Sequence, residues 1–244
     1  MAQRPDLWEP ATAIGEKVFP EFMHHDPVAN RNWGRLAQDF PGFQVALLGE
    51  RDGVVAAGYS APLYWDGTTE GLPEGWDAAF EQALADLASG REPTAMSALL
   101  TTVDPAYQGR GLSAAVLEAL KAEARKAGMR AMIAPVRPTM KARYPLAPIE
   151  AYVGWRNDRG EVFDPWLRVH EKLGAKFSKI APSSMDISGA VAQWEGWTGM
   201  AFPQSGRYVV PGALCPVEVD REQDLVRYVE PNVWMVHQLA EDQN

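Results

Sequence analysis

Six consecutive residues, Gln108-Gly-Arg-Gly-Leu-Ser113, have the composition of an anion-binding turn. Gly109 and Gly111 let the backbone turn sharply and approach a ligand closely. The turn stands at the start of a predicted helix, whose first N–H groups are unpaired and carry a partial positive charge. Arg110 adds a full positive charge within the same turn. The segment, from Gln108 through Leu112 to Ser113, therefore predicts a binding site for a diphosphate.

Other phosphate-binding motifs fit this turn less well. A dinucleotide-binding Gly-x-Gly-x-x-Gly motif needs glycine at position 114, where this chain has Ala114. The Gly-Lys-Ser/Thr sequence of a P-loop is absent as well. The loop by itself leaves one alternative open, which is a glycine-rich strand-to-helix connection that binds nothing.

The elements that position the turn are predicted from the spacing of apolar residues. Residues 94–103 read as a buried strand before it, and residues 112–127 read as an amphipathic helix after it. Gly128 ends that helix, and residues 129–135 return as a second strand. A strand, glycine turn, helix and strand in this order place two parallel strands side by side.

The rest of the chain mixes helices and strands without a linker-like stretch, which predicts one α/β domain over residues 1–244. Its core motif region is 43–180, followed by a C-terminal helix and strands over 183–237. The further predicted elements are helical pieces in 5–40, a hairpin of strands 43–49 and 53–65 with a turn at 50–53, helices 74–90, 164–173 and 183–200, strand 175–180, and strands and turns in 205–237.

Charge and composition exclude several classes of function. The formal net charge of -9 and the pI near 5.0 argue against nucleic acid as a partner, because phosphate binding needs a basic surface. The chain lacks the run of roughly 18 apolar residues needed for a membrane span, and we expect a cytoplasmic protein. One cysteine, Cys215, excludes an intramolecular disulfide and a cysteine-based zinc cluster, so no metal site is predicted. Its apolar surroundings favour an inert buried thiol over a nucleophile.

Two motifs resemble those of the GNAT acetyltransferase superfamily. Thr101-Thr-Val-Asp-Pro-Ala-Tyr-Gln-Gly-Arg-Gly-Leu-Ser113 is similar to the family's central motif, in which Gln/Arg-x-x-Gly-x-Gly/Ala wraps the pyrophosphate of CoA. Trp166-Leu-Arg-Val-His-Glu-Lys-Leu-Gly-Ala175 looks like the family's late helix. The resemblance covers residues 94–180 well and residues 43–65 plausibly. It implies a mixed α/β (α+β) GNAT-like fold, with central splayed parallel strands flanked by helices.

The resemblance also implies a cofactor and a mechanism. Acetyl-CoA or another acyl-CoA would bind with its pantetheine arm along the main chain of residues 100–103, including Thr102 and Val103, and of residues 133–136. A backbone N–H would stabilise the tetrahedral oxyanion, an uncharged amine would attack the thioester, and an acid would protonate the departing thiolate. His170, where the family commonly has tyrosine, is the candidate acid, since imidazole titrates near neutral pH. The alternative is a histidine that only packs at the helix end.

The catalytic base is not assigned. Some family members carry a glutamate on the central strand, at the position that is Ser97 here. Strand alternation predicts that Ser97, Leu99, Thr101 and Val103 share one face, so Ser97 or Thr101 could hold a water molecule that relays a proton. The titratable side chains near the predicted site segments are Glu150, Asp164, His24 and His25.

Residues 137–166 are longer than the family's usual connection between the second strand and the late helix. They carry Lys141, Arg143, Arg156 and Arg159, which could bind a carboxylate of the acceptor or the 3′-phosphate of CoA. A surface segment whose charges face water is equally compatible. Trp166, Trp194 and Trp197 could line an acyl pocket, although core packing is the commoner role of such residues.

These features predict transfer of an acetyl or related short acyl group from acyl-CoA to a small-molecule amine, by a monomer or homodimer. Two other functions stay open on the same fold. One is an acyl-CoA-binding sensor without turnover. The other is an acyl-CoA decarboxylase or an S-acyltransferase that acts on a carrier-protein thiol.

Overall fold

The computed structural model of this protein describes residues 1–50 and 52–239. The α-helices in these residues are α1 (Trp8–Val18), α2 (Pro27–Asp39), α3 (Trp76–Ser89), α4 (Leu112–Lys126), α5 (Ile149–Tyr152), α6 (Pro165–Lys172) and α7 (Val191–Thr198). The strands are β1 (Val45–Leu48), β2 (Val54–Leu63), β3 (Ala95–Val103), β4 (Ala131–Val136), β5 (Lys176–Gly189), β6 (Gly206–Tyr208), β7 (Val217–Asp220) and β8 (Leu225–Gln238).

All eight strands join one sheet, in the order β1-β2-β3-β4-β8-β7-β6, with β5 paired to β8. The neighbours β3 and β4 run parallel, and the other pairs are antiparallel. The α4 helix is the crossover between the two parallel strands, as a parallel pair requires. The predicted mixed α/β fold is confirmed. Within the described chain, every helix is too short or too polar to span a lipid bilayer.

The sheet separates two apolar cores. On one face, residues of α1, α2, α3 and α7 pack with the inward side chains of β2, β3, β5 and β8. On the other face, residues of α4, α5 and α6 pack with the opposite side chains of β3, β4 and β8. Burying one stripe of each helix against a sheet face is the main stabilisation of such a layered domain.

The boundaries of the motif helices follow local chemistry. The α3 helix ends at Gly90, which is left-handed with φ 68°, a conformation that glycine adopts without a steric cost. The α6 helix begins after Asp164, whose carboxylate accepts hydrogen bonds from the N–H groups of Trp166 and Leu167. These ends lie within two residues of the boundaries predicted from the sequence.

The helix predicted for 183–200 is wrong over its first third, because β5 continues to Gly189 and α7 spans only Val191–Thr198. Pairing with the long strand β8, from Met185↔Glu230 to Gly189↔Val226, overrides the local helical pattern there. The predicted turn between β1 and β2 includes Arg51, which lies outside the described residues.

Candidate functional site

The glycine turn lies on the surface at the start of α4. Gly109 and Gly111 have φ values of 75° and 77°, so both occupy the left-handed region in which a side chain would be strained. Gly111 is the N-cap of α4, and no side chain of the described residues caps that helix start. The N–H groups of its first turn therefore face solvent beside Arg110, as an anion site requires.

Side chains of neighbouring residues hold the turn in place. The amide of Gln108 donates to the carbonyl oxygen of Val103 at 3.3 Å, and the guanidinium of Arg110 donates to the carbonyl oxygen of Ala106 at 3.2 Å. The Asp104 carboxylate accepts from the N–H of Ala106 and from Lys17 Nζ at 2.8 Å. The salt bridge with Lys17 lowers the pKa of Asp104.

The parallel strands beside the turn separate soon after they meet. β3 and β4 are paired at Ala95↔Ala131, Met96↔Met132 and Ser97↔Ile133. Beyond these positions β3 stays with β2 and β4 stays with β8. Pro135 lies in the separated part of β4 and, without an N–H, cannot donate a backbone hydrogen bond to a neighbouring strand. The separation leaves main-chain groups of 100–103 and 134–136 without partners across the gap in the described structure, where an extended ligand can bind.

A bulge in β3 sits at the point of separation. Tyr59 of β2 pairs with Leu100 while Ser60 pairs with Ala98, so Leu99 is the extra residue. The indole Nε1 of Trp76 donates to the carbonyl oxygen of Leu99 at 2.7 Å. A bulge bends its strand and disturbs the local ladder, and Trp76 satisfies the carbonyl that this disturbance releases.

The predicted alternation of β3 is wrong beyond Leu99, because of the bulge. Leu99 and Leu100 both pack on the face covered by α1 to α3, whereas Val103 packs on the α4 face. Ser97, Leu99, Thr101 and Val103 therefore do not share one face, because the extra residue shifts the period. Ser97 and Thr102 are buried, and neither hydroxyl finds a hydrogen-bond partner within 1–50 and 52–239. Thr101 is half-buried. A proton relay through Ser97 or Thr101 stays a prediction.

His170 lies inside the protein near the end of α6. Its side chain is buried, its Nδ1 is 3.0 Å from Nε2 of His237, and its ring packs edge-on against Trp166. Burial, with a smaller effect from His237, lowers the pKa of His170 well below the usual 6.5. The ring is therefore neutral at physiological pH and can donate one hydrogen bond. Its role as the acid stays a prediction.

The connection between β4 and α6 divides its charges between interior and surface. Lys141 is buried and donates to the carbonyl oxygens of Tyr144 and Leu214 at 2.8 and 2.6 Å. Arg143, Arg156 and Arg159 are exposed. The fully buried Asp164 accepts from Tyr152 and Met140 in addition to capping α6. Asp164 is thus committed to holding this connection, and the three arginines keep their carboxylate or phosphate role as a prediction.

Trp194 and Trp197 stack on other side chains, and the Cys215 thiol is largely shielded from solvent. Trp194 is fully buried and stacks on Phe22, which confirms core packing for that residue. Trp197 stacks on His25, with ring centroids 3.9 Å apart. Burial raises the pKa of the Cys215 thiol to about 11, so the thiol stays protonated and unreactive at neutral pH.

The sequence-based prediction missed a buried acidic group under the α1–α3 face. Asp26 and Glu230 are fully buried, and the half-buried Asp77 is the second residue of α3, after Trp76. Burial, and then the nearby charge of Asp26, raise the pKa of Asp77 to about 8. Burial is also the main cause of a raised pKa at Asp26. The one local sign in the sequence is Asp26-Pro27, a typical helix start.

A chain of hydrogen bonds links this acidic group to the bulge. The backbone N–H of Trp76 donates to Ser184 Oγ at 2.8 Å, and that hydroxyl donates to Asn232 Oδ1 at 2.6 Å. Asn232 Nδ2 in turn donates to Glu230 at 3.0 Å. The second oxygen of Glu230 accepts from Arg137 and Tyr228 at 2.9 and 2.8 Å. Trp76 therefore links the acidic group to the point of strand separation, since its backbone N–H bonds to Ser184 and its indole bonds to Leu99.

Comparison with known proteins agrees with this geometry. Residues 8–147 match the model of the acetyltransferase (GNAT) family. The arginine N-acetyltransferase avaD of Aspergillus versicolor is 34% identical over 268 aligned positions, covering 97% of this chain and 91% of that protein. The loading GNATL domain of CurA from Lyngbya majuscula has a similar fold, with a TM-score of 0.60 at 18% identity over 96% of this chain and 94% of that one. The GphF GNAT-like decarboxylase in complex with isobutyryl-CoA gives 0.59 at 18% identity, over 97% of both chains.

Proposed function

This chain belongs to the GNAT acetyltransferase family, and on that premise we propose that it transfers an acetyl group from acetyl-CoA to a nitrogen of an arginine-like acceptor. Acyl transfer from acyl-CoA is the chemistry of the family. The arginine-like acceptor is the finer part of the proposal. It is supported by the relative from Aspergillus versicolor, which is named for arginine.

The observation that carries the proposal is the separation of β3 from β4 beside the glycine turn. The turn offers uncapped N–H groups and Arg110 to a diphosphate. The strands part after Ser97 and Ile133, which leaves an extended path from the turn toward the bulge at Leu99. A pantetheine arm along that path would bring its thioester to the gap between the strands, while its pyrophosphate stays at α4.

The two substrates would then approach the gap from opposite faces of the sheet. The cofactor turn belongs to the α4 side, whose core is formed with Val116 and Leu120. The Trp76 side chain and the bulge belong to the opposite core. The gap between β3 and β4 connects the two sides, so an acceptor that enters from the α1–α3 side meets the thioester there.

The reaction is a direct transfer. The neutral nitrogen of the acceptor attacks the thioester carbonyl carbon, the carbon–sulfur bond breaks, and CoA leaves as a thiolate. The attacking nitrogen loses one proton and the sulfur gains one, so the reaction is balanced without a further reactant. We assign to His170 a hydrogen bond from Nε2 toward the leaving sulfur, in the tautomer in which His237 Nε2 donates to His170 Nδ1.

A thiol-release assay with acetyl-CoA and L-arginine tests the proposal, with mass spectrometry to locate the new acetyl group. Free CoA and acetylarginine should appear in equal amounts. Binding of acetyl-CoA without release over a panel of amines would indicate the sensor alternative. Carbon dioxide from malonyl-CoA, or transfer to a carrier-protein thiol, would indicate the decarboxylase or S-acyltransferase. Either result would overturn amine acylation.

A further inference from the structure

Two buried histidine rings meet beneath α6. Nδ1 of His170 lies 3.0 Å from Nε2 of His237, and each residue is only 1% exposed. A contact of this length between ring nitrogens is a hydrogen bond, in which one nitrogen donates and the other accepts. Burial lowers the pKa of both rings, that of His237 to about 4, so both are neutral at pH 7. Each ring therefore has one N–H and one lone pair, and the proton position on one ring fixes that on the other.

The histidine pair stands beside the point where β3 and β4 separate. In the β4–β8 ladder His237 is opposite Met132, which precedes Ile133, the last residue of β4 that is paired with β3. Met235 packs on the face covered by α4 to α6, and strand alternation places His237 on that same face. Nε2 of His170 has no hydrogen-bond partner among residues 1–50 and 52–239. That nitrogen is therefore the ring atom of His170 left for contact with the cofactor.

Two proton arrangements satisfy the contact between the rings. In the first, Nε2–H of His237 donates to Nδ1 of His170, and the proton of His170 stands on its own Nε2. In the second, Nδ1–H of His170 donates to Nε2 of His237, and the proton of His237 stands on its Nδ1. The free Nε2 of His170 is a donor in the first arrangement and an acceptor in the second. Only the first arrangement can donate a hydrogen bond to a leaving thiolate.

The surroundings of His237 select the first arrangement. Its Nδ1 is buried and has no hydrogen-bond partner within the described part of the chain, and a buried N–H without an acceptor is rare and costly. The carbonyl oxygen of Leu173 is the acceptor on that side, and it already accepts from Nζ of Lys121 at 3.1 Å. The positive charge of Lys121 also acts on His237 and disfavours a further proton there. A lone pair on Nδ1 of His237 fits this environment better than an N–H.

We propose that His237 is a positioning residue for His170, whose proton it holds on Nε2 by donating a hydrogen bond to Nδ1. The histidine of β8 thus acts through the histidine of α6 and does not touch the cofactor itself. Edge-on packing of Trp166 keeps the His170 ring in the orientation that this bond requires. The inference deepens the proposed function and rests on it for the leaving sulfur, but the tautomer is a property of the protein without substrates.

The tautomers can be read directly by NMR. Long-range proton–nitrogen spectra of the full-length protein, labelled with ¹⁵N in its histidines, show which ring nitrogen carries the proton. The four histidines of the chain include His24 and His25, and single substitutions assign the signals. We expect His170 and His237 both to carry the proton on Nε2. Protons on Nδ1 of both rings would overturn the proposal, since His170 would then face the cofactor with a lone pair.

A matched pair of variants separates positioning from packing. In His237→Gln the side-chain amide can take the place of Nε2 and donate to His170, whereas His237→Leu fills the space without a donor. Single-turnover release of CoA from acetyl-CoA with L-arginine should slow by about tenfold or more in His237→Leu, and His237→Gln should keep most of the rate. Thermal unfolding shows whether both variants are folded. If both are folded and release CoA at the same rate, His237 does not position His170.

A double substitution tests whether His237 acts through His170. In a His170→Phe background, His237→Leu should cause no further loss of rate, because the ring that it positions is gone. A further loss as large as in the single variant would show a role independent of His170. If no amine releases CoA from the unmodified protein, the proposed function fails, while the NMR spectra still decide which nitrogen His237 protonates.

Discussion

The indole N–H of Trp76 donates to the carbonyl oxygen of Leu99 at 2.7 Å, at the bulge where β3 leaves β4. One side chain at the start of α3 therefore fixes the backbone at the point where the two substrates would meet. The backbone N–H of the same residue ends the hydrogen-bond chain that runs through Ser184. Trp76 is thus a positioning residue between the acidic interior and the gap.

Replacing Trp76 with phenylalanine should reduce turnover more than acetyl-CoA binding. The change removes the donor to Leu99 and leaves a buried carbonyl unsatisfied, at a cost of about 1–3 kcal/mol. Trp65→Phe is the matched control, because Trp65 is also buried and donates to a backbone carbonyl, that of Thr68, at 2.8 Å. Steady-state kinetics with both variants, together with thermal unfolding, should show similar losses of stability but a fall in kcat only for Trp76→Phe. Equal falls in kcat for Trp76→Phe and Trp65→Phe would show that Trp76 only packs.

Reversing the charge at the glycine turn should weaken binding of the cofactor. Arg110→Glu places a carboxylate next to the expected diphosphate, and CoA affinity should fall by about tenfold or more, or 1.4 kcal/mol. Arg125→Glu makes the same charge change near the other end of α4, where the side chain is exposed, and should leave affinity nearly unchanged. Titration of CoA into both variants decides the matter, and an unaffected Arg110→Glu would mean that the turn does not bind phosphate.

Removing the imidazole of His170 should lower turnover much more than acetyl-CoA binding. Phenylalanine fills the site between Trp166 and His237 but cannot donate to sulfur. His170→Gln keeps a donor and should retain part of the activity. The comparison of kcat with the dissociation constant for acetyl-CoA checks this prediction. Parallel losses in turnover and binding, or in stability alone, would show that His170 only packs.

The raised pKa of Asp77 should make stability depend on pH in a defined direction. The folded pKa of Asp77, about 8, lies above its unfolded value near 3.8, so between these values the folded state binds more protons. Stability from this group is fully present below pH 3.8 and is lost as the pH rises through 8. Each unit of the shift is worth about 1.4 kcal/mol.

Asp77→Asn should remove that dependence. Free energies of unfolding from urea titrations at pH 5 and pH 8 should differ less in the variant, which should also be the more stable protein at pH 8. The surface variant Glu81→Gln should follow the unmodified protein. A variant with the same slope against pH as the unmodified protein would show that Asp77 is ionised throughout.

The sequence by itself determined the local parts of this protein. Glycine at 109 and 111 specified the left-handed turn, Asp164 and Gly174 bounded the late helix, and apolar periodicity located the strands on either side of α4. These features depend on residues close in the chain, so their physics is visible in the sequence. Pairing with β8, which extends β5 to Gly189, was invisible there because its cause lies about 40 residues away.

Only the tertiary structure decided how the interior of the candidate site is arranged. The extra residue at Leu99 changes which side chains of β3 lie on each face of the sheet. The local sequence pattern does not predict this bulge, since it arises from pairing with β2. Asp26, Asp77 and Glu230 are far apart in the chain, and the sequence alone does not show that folding buries Asp26 and Glu230 and half-buries Asp77. Burial raises the pKa of Asp26 and of Asp77, because desolvation acts on the assembled interior and on no segment alone.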